Sequence, residues 1–178
     1  MDRPRVLVAA VAAVLLIVGV IIVSLVFGSR GRDRASPTPP DPTRTGPVAL
    51  GPVIAPAAGS PECGTLLTKL PATLQSGSTV LAKVPLREPA PPATAAWADQ
   101  RADPVVLRCG LDRPAELTPT TTLRAVSGVS WLPVDGTDST TWYLADRTVY
   151  VAVTIPATAG TGPLQDLSDL IGKTLPKK

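Results

Sequence analysis

Two cysteines, Cys63 and Cys109, are the residues of this chain whose chemistry is most clearly defined. They lack the C-x-x-C spacing of a redox pair or a metal knuckle, and the chain contains no histidine to complete a metal site. A structural disulfide is the reading that remains, and it places both residues where thiols oxidise. Closing a loop of 46 residues stabilises a fold by about 4 kcal/mol in the chain-entropy model. The lack of histidine also removes Ser-His-Asp and Cys-His catalysis. No S-x-x-K, P-loop or G-x-G-x-x-G occurs. The run from Asp135 to Thr140 has the residue types of a calcium loop without its later bidentate glutamate, and reads as a turn. The sequence therefore assigns no catalytic, cofactor-binding or metal-ligating residue. Two weaker candidates remain. Trp97 and Trp142, with Arg108 as a carboxylate-recognising cation, would form an interaction surface if exposed together. Asp99, Asp103 and Asp146 would support a membrane-tethered hydrolase or transferase if two of them converged in one pocket.

The elements that must position these residues follow from hydrophobic spacing. Ser60 as N-cap, Pro61 at the first helical position and Glu62 at the positive end open a helix. Cys63, Leu67, Leu70 and Leu74 recur along one face of it, with Leu66 adjoining, and Pro71 should kink or end it. Val105–Cys109 is a short strand with Val105, Leu107 and Cys109 on one side and Val106 and Arg108 on the other. Each cysteine thus lies on the apolar side of its own element. Gly128–Val134 is a further strand, with Pro133 marking an edge or an end. Thr140–Leu144 and Arg147–Ile155 form two strands around a tight turn at Ala145 and Asp146. In the second, Val149, Val151, Val153 and Ile155 oppose Thr148, Tyr150, Ala152 and Thr154. A final helix begins near Thr161 or Gly162 and carries Leu164, Leu167, Ile171 and Leu175 as its stripe. The fold class expected is α+β: a small antiparallel sheet of about four strands, with an N-terminal and a C-terminal helix on one face.

Upstream of this domain, Val6 to Phe27 is a run of 22 residues without a charge. About 20 such residues cross the hydrocarbon of a bilayer as one helix. The run exceeds the apolar core of a cleaved signal peptide and has no A-x-A site behind it. The chain divides into a short tail (1–5), a transmembrane helix (6–27), a Pro-rich linker (28–61) and a folded domain (62–178). The linker's prolines favour an extended spacer. The chain's net charge of +3 resides in residues 1–34, leaving 12 basic and 12 acidic side chains to residues 35–178. The basicity flanks the apolar run instead of forming a phosphate-binding face, so nucleic acid is not an expected partner. Flanking charges alone slightly favour the opposite orientation, but long domains cross largely regardless of charge, and the cysteines favour export. The expected location is the cell membrane, single-pass, with a cytoplasmic N-terminus and an extracytoplasmic domain.

Several stretches in order then carry a resemblance. They are the Cys63 helix with Leu70-Pro71, Ala95-Ala96-Trp97, Leu107-Arg108-Cys109-Gly110, Gly128-Val129-Ser130-Trp131, and DRTVYVAVTIP from Asp146 to Pro156. With the apolar run, they resemble an actinobacterial membrane-protein family catalogued as domain of unknown function 3515, over about 62–176. The resemblance implies a single-pass envelope protein with two characteristic cysteines and no assigned activity. The functional expectation is a non-enzymatic interaction module that binds an envelope protein or a wall polymer.

Overall fold

A computed structural model describes residues 46–178. The expected transmembrane segment and the first part of the linker lie outside the described residues. Among the described residues, no helix is long and apolar enough to cross a membrane.

Helix α1 (Pro61–Lys69) forms where the capping residues predict it: the Ser60 hydroxyl accepts the Cys63 amide at 3.3 Å. It ends before Pro71, whose ring cannot follow a helical turn. Eight strands follow: β1 (Thr73–Ser76), β2 (Thr79–Val84), β3 (Thr94–Ala98), β4 (Val105–Leu111), β5 (Arg124–Val126), β6 (Val129–Asp135), β7 (Ser139–Leu144) and β8 (Tyr150–Pro156). Helix α2 (Gly162–Thr174) closes the chain. All strands join one antiparallel sheet in the order β1-β2-β3-β4-β8-β7-β6-β5. It is built of two four-strand meanders whose inner strands, β4 and β8, pair at the centre.

The α+β class with an antiparallel sheet and two helices is as expected, but the sheet has eight strands and not about four. The four unexpected strands have weak local signals. β1 and β2 each bury a single leucine, Leu74 and Leu81. β3 reads Thr-Ala-Ala-Trp-Ala, with no period-two alternation and three alanines, a residue depleted in strands. β5 has only three residues. They are held as strands by pairing with their neighbours, and their composition contributes little. The β5–β6 hairpin has a two-residue loop, Ser127-Gly128, with both φ values positive (47° and 74°). That conformation matches the strand twist and suits glycine. Pro133 lies past the reach of β5, where β6 is locally an edge.

Register places both helices on the same face. Cys109 pairs with Val151, Val153 with Trp142, and Leu144 with Trp131, so these residues share a side. α1 is tied to Cys109 and α2 packs over Trp131. The core between helices and sheet includes Leu66, Trp97, Leu107, Trp131, Leu167 and Ile171, all fully buried. Each such side chain stabilises the fold by roughly 1.5–3 kcal/mol through removal from water.

The folded body also takes in the end of the sequence expected as linker. Val48 is buried and forms a parallel bridge with Leu86, and its amide donates to the Pro85 carbonyl at 2.9 Å. Ala57 donates to the Gly110 carbonyl at 3.0 Å. Gly110 sits at a bulge in β4 with φ 84°, and a Cβ there would overlap the backbone of Ala57 and Ala58. The strap 46–60 is thus held by backbone hydrogen bonds at Val48 and Ala57, which its proline-rich composition does not reveal.

Candidate functional site

Cys63 and Cys109 form a disulfide, with Cα atoms 5.6 Å apart. Both are fully buried, so the bond fastens α1 to the central strand and exposes no thiol. It is a staple within the core.

Asp146 does not converge with Asp99 and Asp103. The register of β4 against β8 (Val106 with Thr154, Leu111 with Tyr150) puts the β3–β4 loop, which carries Asp99 and Asp103, at one end of the sheet. Asp146, just before β8, lies at the other end. Asp99 accepts the amides of Ala102 and Arg101 at 2.6 and 2.9 Å, and these bonds hold its carboxyl below the ordinary range. A carboxylate so held shapes a turn and is a poor proton donor at neutral pH. Asp146 forms an ion pair with buried Arg147 at 2.7 Å. Between Asp135 and Thr140 the chain makes the β6–β7 turn, with the Thr140 hydroxyl donating to Asp135 at 2.9 Å. Among the described residues, no group of acidic residues and cysteines is placed to hold a metal.

Trp97 is a correction. It is fully buried, on the helix-covered face, and its indole N–H donates to the Pro71 carbonyl at 2.9 Å. In an aromatic-poor domain a large ring is the densest core filler available, and the local sequence carried no sign of which side it would face. Trp131 is buried likewise, donating to the Ser168 hydroxyl at 2.9 Å, which donates in turn to the Leu164 carbonyl at 2.6 Å. Trp142 is half-buried against the same core and borders a shallow cavity of about 220 Å³ with Thr140, Thr161 and Leu164. Trp97, Trp142 and Arg108 do not form one surface: both tryptophans face the helices and Arg108 faces away.

The helix-free face is where Arg108 stands. One row across it reads Thr94, Arg108, Ala152, Tyr143 and Leu132 on successive strands β3, β4, β8, β7 and β6. The next row reads Ala96, Val106, Thr154, Thr141 and Val134. Arg108 is the single charged residue at the strand positions of this face. Its side chain is half-buried, and its Nε is shielded from solvent with no hydrogen-bond acceptor. Burial pushes the guanidinium's pKa down, with Tyr143 acting the other way. The neighbouring Thr141 and Thr154 hydroxyls bond each other at 3.0 Å. A buried donor without an acceptor is costly to keep, by about 1–3 kcal/mol. Tyr143, Thr141, Thr154 and Ala152 were not singled out with Arg108 from the sequence. Their period-two alternation was legible, but which strands adjoin β4 was not.

No curated protein and no solved structure matches the chain. A family described as a protein of unknown function, DUF3515, matches residues 10–178, which spans nearly the whole sequence and the fold just described. The chain belongs to the DUF3515 family.

Proposed function

We infer that this is a membrane-anchored protein of the cell envelope whose domain serves as a non-enzymatic interaction module. The observation that carries the reading is the two-sided sheet: one face is covered by both helices, and the other presents Arg108 among Ala, Thr, Val and Tyr side chains with no acceptor for its Nε. Thr94, Arg108, Thr141, Tyr143 and Thr154 are part-exposed on that face, and exposed patches on displayed domains serve partners. The apolar run of 22 residues supports the anchor by its length. The disulfide supports an oxidising compartment outside the cytoplasm. The separation of Asp99 and Asp103 from Asp146 counts against a carboxylate-pair hydrolase.

A photoreactive side chain placed at Thr154, on the helix-free face, and in parallel at Lys173, on the exposed side of α2, tests the reading in intact cells. Defined adducts from position 154 and none from 173 are expected. Absence of adducts from 154, or equal adducts from both, contradicts it. Location is checked with Ser78→Cys in the exposed β1–β2 turn. A membrane-impermeant maleimide should label that thiol in intact cells, and labelling only after lysis would reverse the orientation.

A further inference from the structure

The centre of the helix-free face has a definite chemical demand. Arg108 and Tyr143 stand on β4 and β7, and between them β8 contributes only Ala152, 3% exposed. Two long polar side chains thus flank a notch with a methyl floor, and the Thr154 and Thr141 hydroxyls lie one row along. A guanidinium offers planar, paired N–H donors, and Arg108 has its Nε both desolvated and without an acceptor. No carboxylate among the described residues forms an ion pair with it. The complementary group is a carboxylate, which meets a guanidinium through two parallel hydrogen bonds.

We propose that the helix-free face binds an acidic segment of a partner protein, with a glutamate or aspartate carboxylate meeting the Arg108 guanidinium above Ala152. This rests on the interaction-module reading and names its ligand. Two features select a protein segment. Arg108 is the one charged residue at the strand positions of this face, with Lys178 over the Tyr150 ring at its end, so the centre suits an isolated carboxylate and not a polyphosphate or polyanionic polymer. The floor of the face is built from Ala96, Ala98 and Ala152, all buried, and small residues let another backbone approach closely.

The test uses the full chain in detergent micelles with 15N-labelled arginine, the Arg108 Nε–H signal being assigned by its loss in Arg108→Met. The probes are an N-acetylated, C-amidated glutamate tripeptide, its glutamine counterpart, and a disaccharide-peptide fragment of wall polymer. The glutamate peptide should shift the Arg108 signal in proportion to its concentration, and the glutamine peptide should bind ~10-fold more weakly or not at all. Equal shifts from the two peptides, no shift from either, or a shift from the wall fragment alone overturns the proposal. Arg108→Met is the second arm. Because no described residue pairs with the guanidinium, an apolar side chain of similar reach should melt at the same temperature or about 2–4 °C higher. A lower melting temperature overturns the proposal, since it would place the acceptor inside the molecule. Adducts from position 154 that persist unchanged in Arg108→Met overturn the carboxylate inference alone. Loss of those adducts from the wild-type chain overturns the module reading as well.

Discussion

The two faces of the central sheet use the same eight strands for different ends. On the helix-covered face, β4 and β8 contribute Val105, Leu107, Cys109, Val151, Val153 and Ile155, and nearly all of this area is removed from water. Trp131 and Ser168 match their polar atoms there, while buried Arg147 beside Asp146 keeps an Nε without an acceptor. On the opposite face the same strands contribute Val106, Arg108, Tyr150, Ala152 and Thr154, which are smaller or polar, and one donor is left unmatched. The comparison teaches that stability and recognition are divided between the two sides of a strand, residue by alternate residue. Such a division predicts that substitutions on one side unfold the domain and those on the other leave it folded.

Trp131→Ala should have the largest effect, a loss of about 3–5 kcal/mol measured by chemical denaturation, because it empties the centre of the covered face. Removal of the disulfide by Cys63→Ala with Cys109→Ala should follow at roughly 2–4 kcal/mol. Comparable stability of the reduced and oxidised chains would show that α1 docks without its staple. Gly110→Ala should lower stability by about 1–3 kcal/mol, since the new methyl meets the Ala57–Ala58 backbone and the residue has a positive φ. Faster proteolysis within 46–60 would locate that damage in the strap. Ser168→Ala leaves the Trp131 N–H buried without its acceptor and should cost about 1–2 kcal/mol by thermal melt. Asp99→Asn, at the sheet's end and on neither face, should have the smallest effect. The folded-state pKa of Asp99 is depressed, so its contribution is present above the ordinary carboxylate range and is lost as pH falls through the lowered value. Wild type and variant should therefore converge in stability at acidic pH, with a small wild-type advantage at neutral pH.

The legible parts of this fold are those with strong local periodicity. The alternation of Val149, Val151, Val153 and Ile155 identifies β8, and Ser60-Pro61-Glu62 marks the start of α1, because both signals are complete within a few residues. The disulfide was legible because two cysteines and no histidine leave few options. β3 was not, since three alanines become strand only when β2 and β4 flank them. The burial of Trp97 was hidden for the same reason. Arg108 was visible as a residue opposite Cys109, whereas its setting was not: Ala152 and Tyr143 reach it through pairings 44 and 9 residues apart along the chain. Register across a sheet is a long-range property, and a single strand does not encode it.

The most direct test of this division of labour is the yield of photo-crosslinked partner from position 154 in intact cells, compared between the wild-type chain and Arg108→Met at matched expression. If the helix-free face recognises a carboxylate through Arg108, the yield falls several-fold while the variant still accumulates in folded, disulfide-bonded form. An undiminished yield would mean that the guanidinium takes no part in recognition.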